Sequence, residues 1–200
     1  MLTKTQLKIL SYLIDNKEKL AGIRELAREI SVAYYLVQMN VHDLKSKKII
    51  TIQRAGKTDI IRINESADSS YLIEAEQFKK KEFYKKFPGI KVILNKIIKE
   101  SPFSFFVLLV FGSYAKTSSK LRKDSDLDLL IVIPDAKYEE GIQKTISSVS
   151  RTSSIKIHET LLTEDSFRSQ LNKKELNVAA EAMDKHIIIY NGENYYNLIR

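Results

Sequence analysis

The chain has 200 residues, no cysteine and a formal net charge of +8. The missing cysteines exclude disulfides and thiolate metal sites, and His42, His158 and His186 lie too far apart for a zinc motif. No apolar run is long enough to span a bilayer and the N-terminus has no signal-peptide core, so we expect a soluble, cytoplasmic protein with no membrane partner. Any metal would be held by oxygen ligands.

The excess of positive charge lies in the first half of the chain. Residues 1–66 carry 12 basic and 7 acidic side chains, residues 67–100 carry 8 and 5, and residues 101–200 carry 13 of each. A basic front half suggests a polyanionic partner for that part of the chain. Lysine-rich solvated helices give the same number, so charge alone does not distinguish a nucleic-acid interface from an ordinary surface.

Three helical patterns and two β-rich runs follow one another in residues 1–66. Apolar residues recur at helical spacing in a first helix, for which Thr3 and Thr5 are alternative caps. A second helix covers Ile23 to Ile30, and a third is predicted from about Ala33 to Ser46. Strands are predicted at Ile49 to Gln53 and Thr58 to Ile63. Three helices followed by a hairpin is the order of a winged helix-turn-helix domain.

The segment LAREISVAYYLVQMNVHDLKSKKII is similar to the helix-turn-helix pattern of small prokaryotic regulators, although Ser31 and Lys48 stand where that pattern has glycine. The resemblance implies that the third helix reads DNA with its outward side chains, while the wing tip contacts the backbone or minor groove. The predicted DNA-binding residues are Tyr34, Tyr35, Gln38, His42, Arg54 and Lys57. The shortage of arginine on this face leaves a second interpretation open, in which the domain dimerises or docks a partner.

Residues 67–100 are predicted to form a helical linker. A charged helix covers Ser70 to Lys86, Pro88-Gly89 interrupts it, and the apolar stripe from Ile90 to Ile98 marks a second helix. The lysines of the charged helix form either a nucleic-acid surface or a solvated face whose aromatic neighbours pack inward.

The residues with the clearest chemistry lie between Phe105 and Pro134. An apolar run breaks at Gly112-Ser113, and Asp126-Leu127-Asp128 opens a second apolar run. Alternation along a strand puts both carboxylates on one face, where a divalent cation relieves their repulsion. A glycine followed by a serine at a helix start offers N–H groups and a hydroxyl to an anion. Together the two halves predict a metal-triphosphate site.

Gly112-Ser113, followed by Asp126-x-Asp128 and an apolar strand, resembles the signature of the nucleotidyltransferase superfamily that includes DNA polymerase β, and within it the minimal nucleotidyltransferases. The resemblance implies a short mixed sheet flanked by helices and transfer of a nucleoside monophosphate from an NTP to an acceptor. By motif position, Gly112 and Ser113 would bind the nucleotide, and Asp126 and Asp128 would be catalytic residues that bind Mg²⁺ or Mn²⁺. Such enzymes often work with a small protein partner.

The same resemblance implies a third catalytic carboxylate on a later strand. The candidate strand runs from Ser154 to Leu162, and Glu159 is our choice, with His158 on the opposite face and Asp165 at the start of the following helix. The chain also departs from the family pattern at Ala115-Lys116-Thr117, where a second glycine is usual. Without a third acid, the domain would bind nucleotide yet transfer slowly or not at all.

The predicted fold is α+β, with a winged helix-turn-helix at 1–66, a helical linker at 67–100 and a nucleotidyltransferase domain at 101–200. Two functions follow from this organisation. One is a metal-dependent nucleotidyltransferase with a nucleic-acid-binding front domain. The other is a winged-helix transcription regulator whose back domain senses nucleotide. The expected partners are a nucleotide and DNA, with a second copy of the chain or a small protein as further candidates.

Overall fold

The computed structural model describes residues 1–17, 19, 21–56, 58–116, 122, 125–173, 175 and 177–199. These residues form two compact units, Met1–Lys79 and Lys80–Arg200. The boundary falls inside the stretch that the sequence assigns to a linker, so each unit takes part of that stretch into its own structure. No helix in the described part of the chain is long and apolar enough to cross a membrane.

The first unit consists of helices and a three-stranded antiparallel sheet in the order β1-β3-β2. Its elements are α1 (Lys4–Asp15), β1 (Ala21–Gly22), α2 (Ile23–Glu29), α3 (Tyr34–Ser46), β2 (Ile50–Ala55), β3 (Thr58–Ile63) and the first part of α4 (Ser69–Lys86). The predicted order of three helices and a hairpin is confirmed. Strand β1 escapes prediction because two residues are too few to show a period.

Local chemistry explains where these elements begin and turn. The Thr3 hydroxyl accepts a hydrogen bond from the Gln6 N–H at 3.2 Å, while the Thr3 N–H donates to the Gln6 side chain at 2.9 Å, so the two residues cap α1 reciprocally. Ser31 (φ 51°) and Lys48 (φ 58°) adopt the left-handed conformation that favours glycine. These are the two positions where the helix-turn-helix pattern has glycine.

The second unit is a four-stranded mixed sheet flanked by helices, in the order β6-β5-β4-β7. Its strands are β4 (Val107–Val110), β5 (Leu127–Ile133), β6 (Ile157–Thr163) and β7 (Ile187–Tyr190). Its further helices are α5 (Pro88–Glu100), α6 (Gly112–Ala115), α7 (Glu139–Thr152), α8 (Glu164–Leu171), α9 (Val178–Asp184) and α10 (Gly192–Ile199). Strands β5 and β6 are parallel, whereas β4 is antiparallel to both β5 and β7. The mixed sheet and its helices confirm the predicted α+β fold class.

Strand β5 lies at the centre of this unit and is buried along almost its whole length. Leu127, Leu129 and Ile131 belong to a core to which α5 and α7 also contribute apolar side chains. Helices α8 and α9 also contact β5. The exception is Asp128, which is the one residue of β5 that is not buried. The Asp128 carboxylate thus reaches solvent from a strand whose other side chains are buried.

Candidate active site

The glycine-serine bend and the acidic strand meet because β4 ends where β5 begins. The two strands are antiparallel, with Val110 opposite Leu129. Beyond that pair, the Phe111 N–H donates a hydrogen bond to the Asp128 carbonyl at 3.1 Å. The end of β4 and the start of β5 therefore lie side by side in the sheet. This brings Gly112, just after β4, next to Asp128, near the start of β5.

Gly112 packs directly against the Asp128 carboxylate. Its φ of 64° lies in the left-handed region, and a Cβ added to it would stand 2.1 Å from Asp128 Oδ2. A side chain at this position would therefore be strained by the backbone and also displace the carboxylate. Half-buried Ser113 follows in α6, which is a single turn and not a longer helix.

Asp126 directly precedes β5 and Asp128 is the second residue of that strand, which is the two-residue spacing that places side chains on one face. The Asp126 side chain is 36% exposed and that of Asp128 is 23% exposed, so both carboxylates reach solvent. Each carboxylate contacts a side chain of the neighbouring chain segment. Lys156 Nζ lies 3.0 Å from Asp126 Oδ2, and His158 Nδ1 lies 3.4 Å from Asp128 Oδ1.

The structure places Glu159 away from the two aspartates. The parallel register pairs Asp128 with His158 and Leu129 with Glu159, so the Glu159 side chain lies on the face of buried Leu129. The expected arrangement, with Glu159 beside the aspartates and His158 opposite, is therefore wrong. A shift of one residue in register exchanges the two faces, and the sequence does not determine that register. Asp165 lies in the first turn of α8, as predicted.

Two residues near the aspartates were missed by sequence reasoning. Lys156 precedes β6, and alternation with His158 was the signal that could have placed it on the aspartate side. Tyr114 packs its ring edge-on against Phe87, with centroids 5.3 Å apart. Burial, assisted by the charge of Asp126, raises the pKa of the Tyr114 hydroxyl above its usual 10.0. The tyrosine thus stays neutral and anchors the bend against the core.

The two carboxylates suit a hard divalent cation. Oxygen ligands are those that Mg²⁺ and Mn²⁺ prefer, and both aspartates open to the same side of the sheet edge. Lys156 competes for one of these oxygens. Among the described residues, no three acidic, histidine or cysteine side chains are grouped so that they could hold a metal ion together. The donor set thus fits a cation bound by two aspartates, without the third carboxylate.

The candidate DNA-binding residues lie on α3 and β2 of the first unit. Tyr34 and Tyr35 are 44% and 66% exposed, His42 is exposed and Gln38 is partly exposed. The guanidinium of Arg54 donates to Asp59 at 3.0 Å and to the Gly56 carbonyl at 3.1 Å, so it is engaged within its own hairpin. Lys57 lies outside the described residues.

Comparison with known proteins identifies a family for the second half of the chain. A family model described as a nucleotidyltransferase domain matches residues 90–189, which is half of the chain. No curated protein matches the chain.

Two solved structures are similar to parts of the chain. AF1382 from Archaeoglobus fulgidus has 21% identity and a TM-score of 0.34, over 40% of this chain and 86% of that one. MepR, a transcription regulator of the Staphylococcus aureus multidrug efflux pump MepA, has 15% identity and a TM-score of 0.35, over 49% of this chain and 78% of that one.

Proposed function

The chain belongs to the nucleotidyltransferase domain family, and from this premise we propose that it transfers a nucleoside monophosphate from an NTP to an acceptor. The single observation that most supports this is the contact between Gly112 and the Asp128 carboxylate. This contact places the Gly112-Ser113 bend, which would bind the triphosphate, next to the aspartates that would bind a cation. A packing role alone would not require an unburied carboxylate in an otherwise buried strand.

The residues of the site would have two roles, binding a cation and orienting the phosphates. Asp126 and Asp128 would hold Mg²⁺ or Mn²⁺, which when bound neutralises charge on the triphosphate. The Ser113 hydroxyl and the N–H groups of the bend would donate hydrogen bonds to phosphate oxygens and so orient the α-phosphate toward the acceptor. Because Gly112 has no Cβ, the Asp128 carboxylate can lie directly against the bend.

A second function is favoured by a specific observation. Lys156 and His158 stand beside the two aspartates, and no third acid of the described residues is grouped with them. Without a third carboxylate, the site would bind nucleotide with little transfer, and the bound nucleotide would then act as a signal. In that case the chain is a transcription regulator whose second unit senses nucleotide.

For the first unit we propose a winged helix-turn-helix in which α3 reads DNA. The order of three helices and an antiparallel hairpin supports this, as does the outward exposure of Tyr34, Tyr35 and His42. Arg54 would have to leave Asp59 to reach a phosphate. Exposed Leu36 and Met39 on the same helix support the other interpretation, in which this face packs on a second copy or a small protein.

The deciding experiment compares the full chain with Asp128→Asn, using an NTP labelled on its α-phosphate and Mg²⁺ or Mn²⁺. We expect the wild type to transfer the label and Asp128→Asn to lower the rate at least 100-fold. Asp184→Asn, which changes an exposed acid at the end of α9, serves as the control and should transfer like the wild type.

Three results separate the candidates. Label transfer that depends on Asp128 supports the enzyme. Nucleotide binding without transfer, accompanied by a change in DNA affinity, supports the regulator. A wild-type chain that binds neither nucleotide nor divalent cation contradicts both functions.

A further inference from the structure

A lysine is held in place beside the metal-binding aspartates. The Leu127 N–H donates to the Lys156 carbonyl at 2.8 Å, so the backbone of Lys156 is fixed next to the start of β5. From there its ammonium reaches Asp126 Oδ2 at 3.0 Å. The parallel pairing of β5 and β6 therefore fixes the backbone position of Lys156 beside the aspartates.

This ion pair contributes little to the stability of the fold. The Lys156 side chain is 78% exposed, and ion pairs at such exposure contribute little to stability. A lysine stem is flexible and carries a compact charge, so the ammonium can leave Asp126 without moving the backbone. A divalent cation bound at the Asp126 carboxylate would repel the ammonium from the oxygen that it now contacts.

We propose that Lys156 is a displaceable counter-ion of Asp126: a divalent cation displaces its ammonium, which then binds phosphate oxygens of the nucleotide. This inference rests on the proposed function of the same site. The positive charge leaves the carboxylate when the metal arrives and stays on the face where the triphosphate binds. Lys156 thereby becomes a specificity-determining residue that favours ligands carrying several phosphates.

The proposal requires effects of opposite sign on two ligands. Removing a positive charge close to a cation site should strengthen metal binding, because the repulsion between the two cations is lost. Removing the same charge should weaken nucleotide binding, because the phosphates lose a partner. A lysine that merely supported the local structure would weaken both, and one that only decorated the surface would change neither.

The experiment uses the full chain and four proteins: wild type, Lys156→Met, Lys156→Arg and Lys144→Met. Lys144 is the matched control because it forms an ion pair with Glu140 on α7 at 2.5 Å, with side chains 75% and 78% exposed. Binding of Mn²⁺ alone is followed by electron paramagnetic resonance, and binding of ATP with Mg²⁺ by calorimetry.

We expect Lys156→Met to bind Mn²⁺ about three- to tenfold more tightly and ATP about three- to tenfold more weakly than the wild type. Lys156→Arg should restore ATP binding, and Lys144→Met should match the wild type in both titrations. Each variant is checked by circular dichroism, and the exposure of Lys156 predicts unchanged folding.

Two results overturn the inference. If Lys156→Met binds Mn²⁺ and ATP as the wild type does, or weakens both, Lys156 is not the counter-ion described here. That failure leaves the proposed function standing so long as Asp126→Asn abolishes Mn²⁺ binding. If the wild type binds neither ligand, the proposed function and this inference fail together.

Discussion

At the scale of single residues, Gly112 sets the geometry of the candidate site because it has no Cβ and so leaves room for the Asp128 carboxylate. We expect Gly112→Ala to destabilise the fold by about 1–3 kcal/mol, because it adds the cost of a left-handed alanine to the displacement of Asp128. It should also weaken Mn²⁺ binding at least tenfold. Urea unfolding and a Mn²⁺ titration measure the two effects.

Gly56→Ala is the matched control for this change. Gly56 has nearly the same φ, 61°, but a Cβ there would meet no atom within 4 Å. The difference between the two alanine variants therefore isolates the clash with Asp128. Equal destabilisation by both, with unchanged Mn²⁺ affinity, would show that the close approach has no consequence.

Lys48 offers the opposite kind of substitution. Its φ of 58° disfavours a side chain, so Lys48→Gly should stabilise the first unit by about 0.5–1 kcal/mol, despite the larger entropy of glycine in the unfolded chain. Lys47→Gly, at φ −79°, should be destabilising or neutral. The midpoint of urea unfolding distinguishes the two, and a loss of stability in Lys48→Gly would contradict the argument.

At the scale of elements, α4 contains two lysine–glutamate pairs of identical spacing in different surroundings. Lys79 is 6% exposed and contacts Glu76 at 3.1 Å and Asp15 of α1 at 2.6 Å. We expect Lys79→Met to cost about 3–5 kcal/mol, because it leaves a buried carboxylate without its cation. Lys85→Met breaks an exposed pair with Glu82 and should cost less than about 1 kcal/mol. Similar losses in both variants would refute this contrast.

The contribution of the Lys79 ammonium to stability should fall at alkaline pH. Burial disfavours its charged form, but the attraction of Glu76 and Asp15 outweighs burial and raises the pKa of Lys79 above 10.5. A raised folded-state pKa gives stability that is complete below the unfolded value and is lost as pH rises through the folded value. The stability gap between wild type and Lys79→Met should thus be constant from about pH 7 to 9 and shrink above 10.5.

The helices and strands show which elements the sequence patterns determine and which they do not. Helical periodicity and the Thr3 cap locate α1 because they act over a few neighbouring residues. Pro88-Gly89 predicts an interruption of the charged helix, and the structure confirms it: α4 ends at Lys86 and α5 begins at Pro88, where the missing N–H costs nothing. The faces of Glu159 and His158 depend on how β6 pairs with β5, which is a long-range choice that no local pattern encodes. The carboxylate pair was predictable from its spacing, whereas the position of Lys156 beside it also depends on that pairing.

At the scale of the whole molecule, we expect the two compact units to carry two separable activities. We expect Tyr35→Ala combined with Gln38→Ala to weaken binding to a duplex, selected by the wild type from a random DNA pool, at least tenfold. The same variant should keep the Mn²⁺ affinity of the wild type, and Asp128→Asn should show the reverse. Fluorescence anisotropy measures the DNA binding.

Ser46→Ala, at the end of α3, controls for unspecific damage to that helix. Wild-type DNA affinity in the double variant would instead assign the exposed α3 face to a second copy or a small protein. DNA binding should also fall steeply with salt, since phosphate contacts release counterions.

The contact between Gly112 and Asp128 has a consequence for genetic selection. A selection that rescues the folding of Gly112→Ala should recover shortened side chains at position 128, because they make room for the new methyl group. Such suppressors would restore solubility and abundance while remaining inactive, so a screen for expression and a screen for turnover would return disjoint sets of revertants.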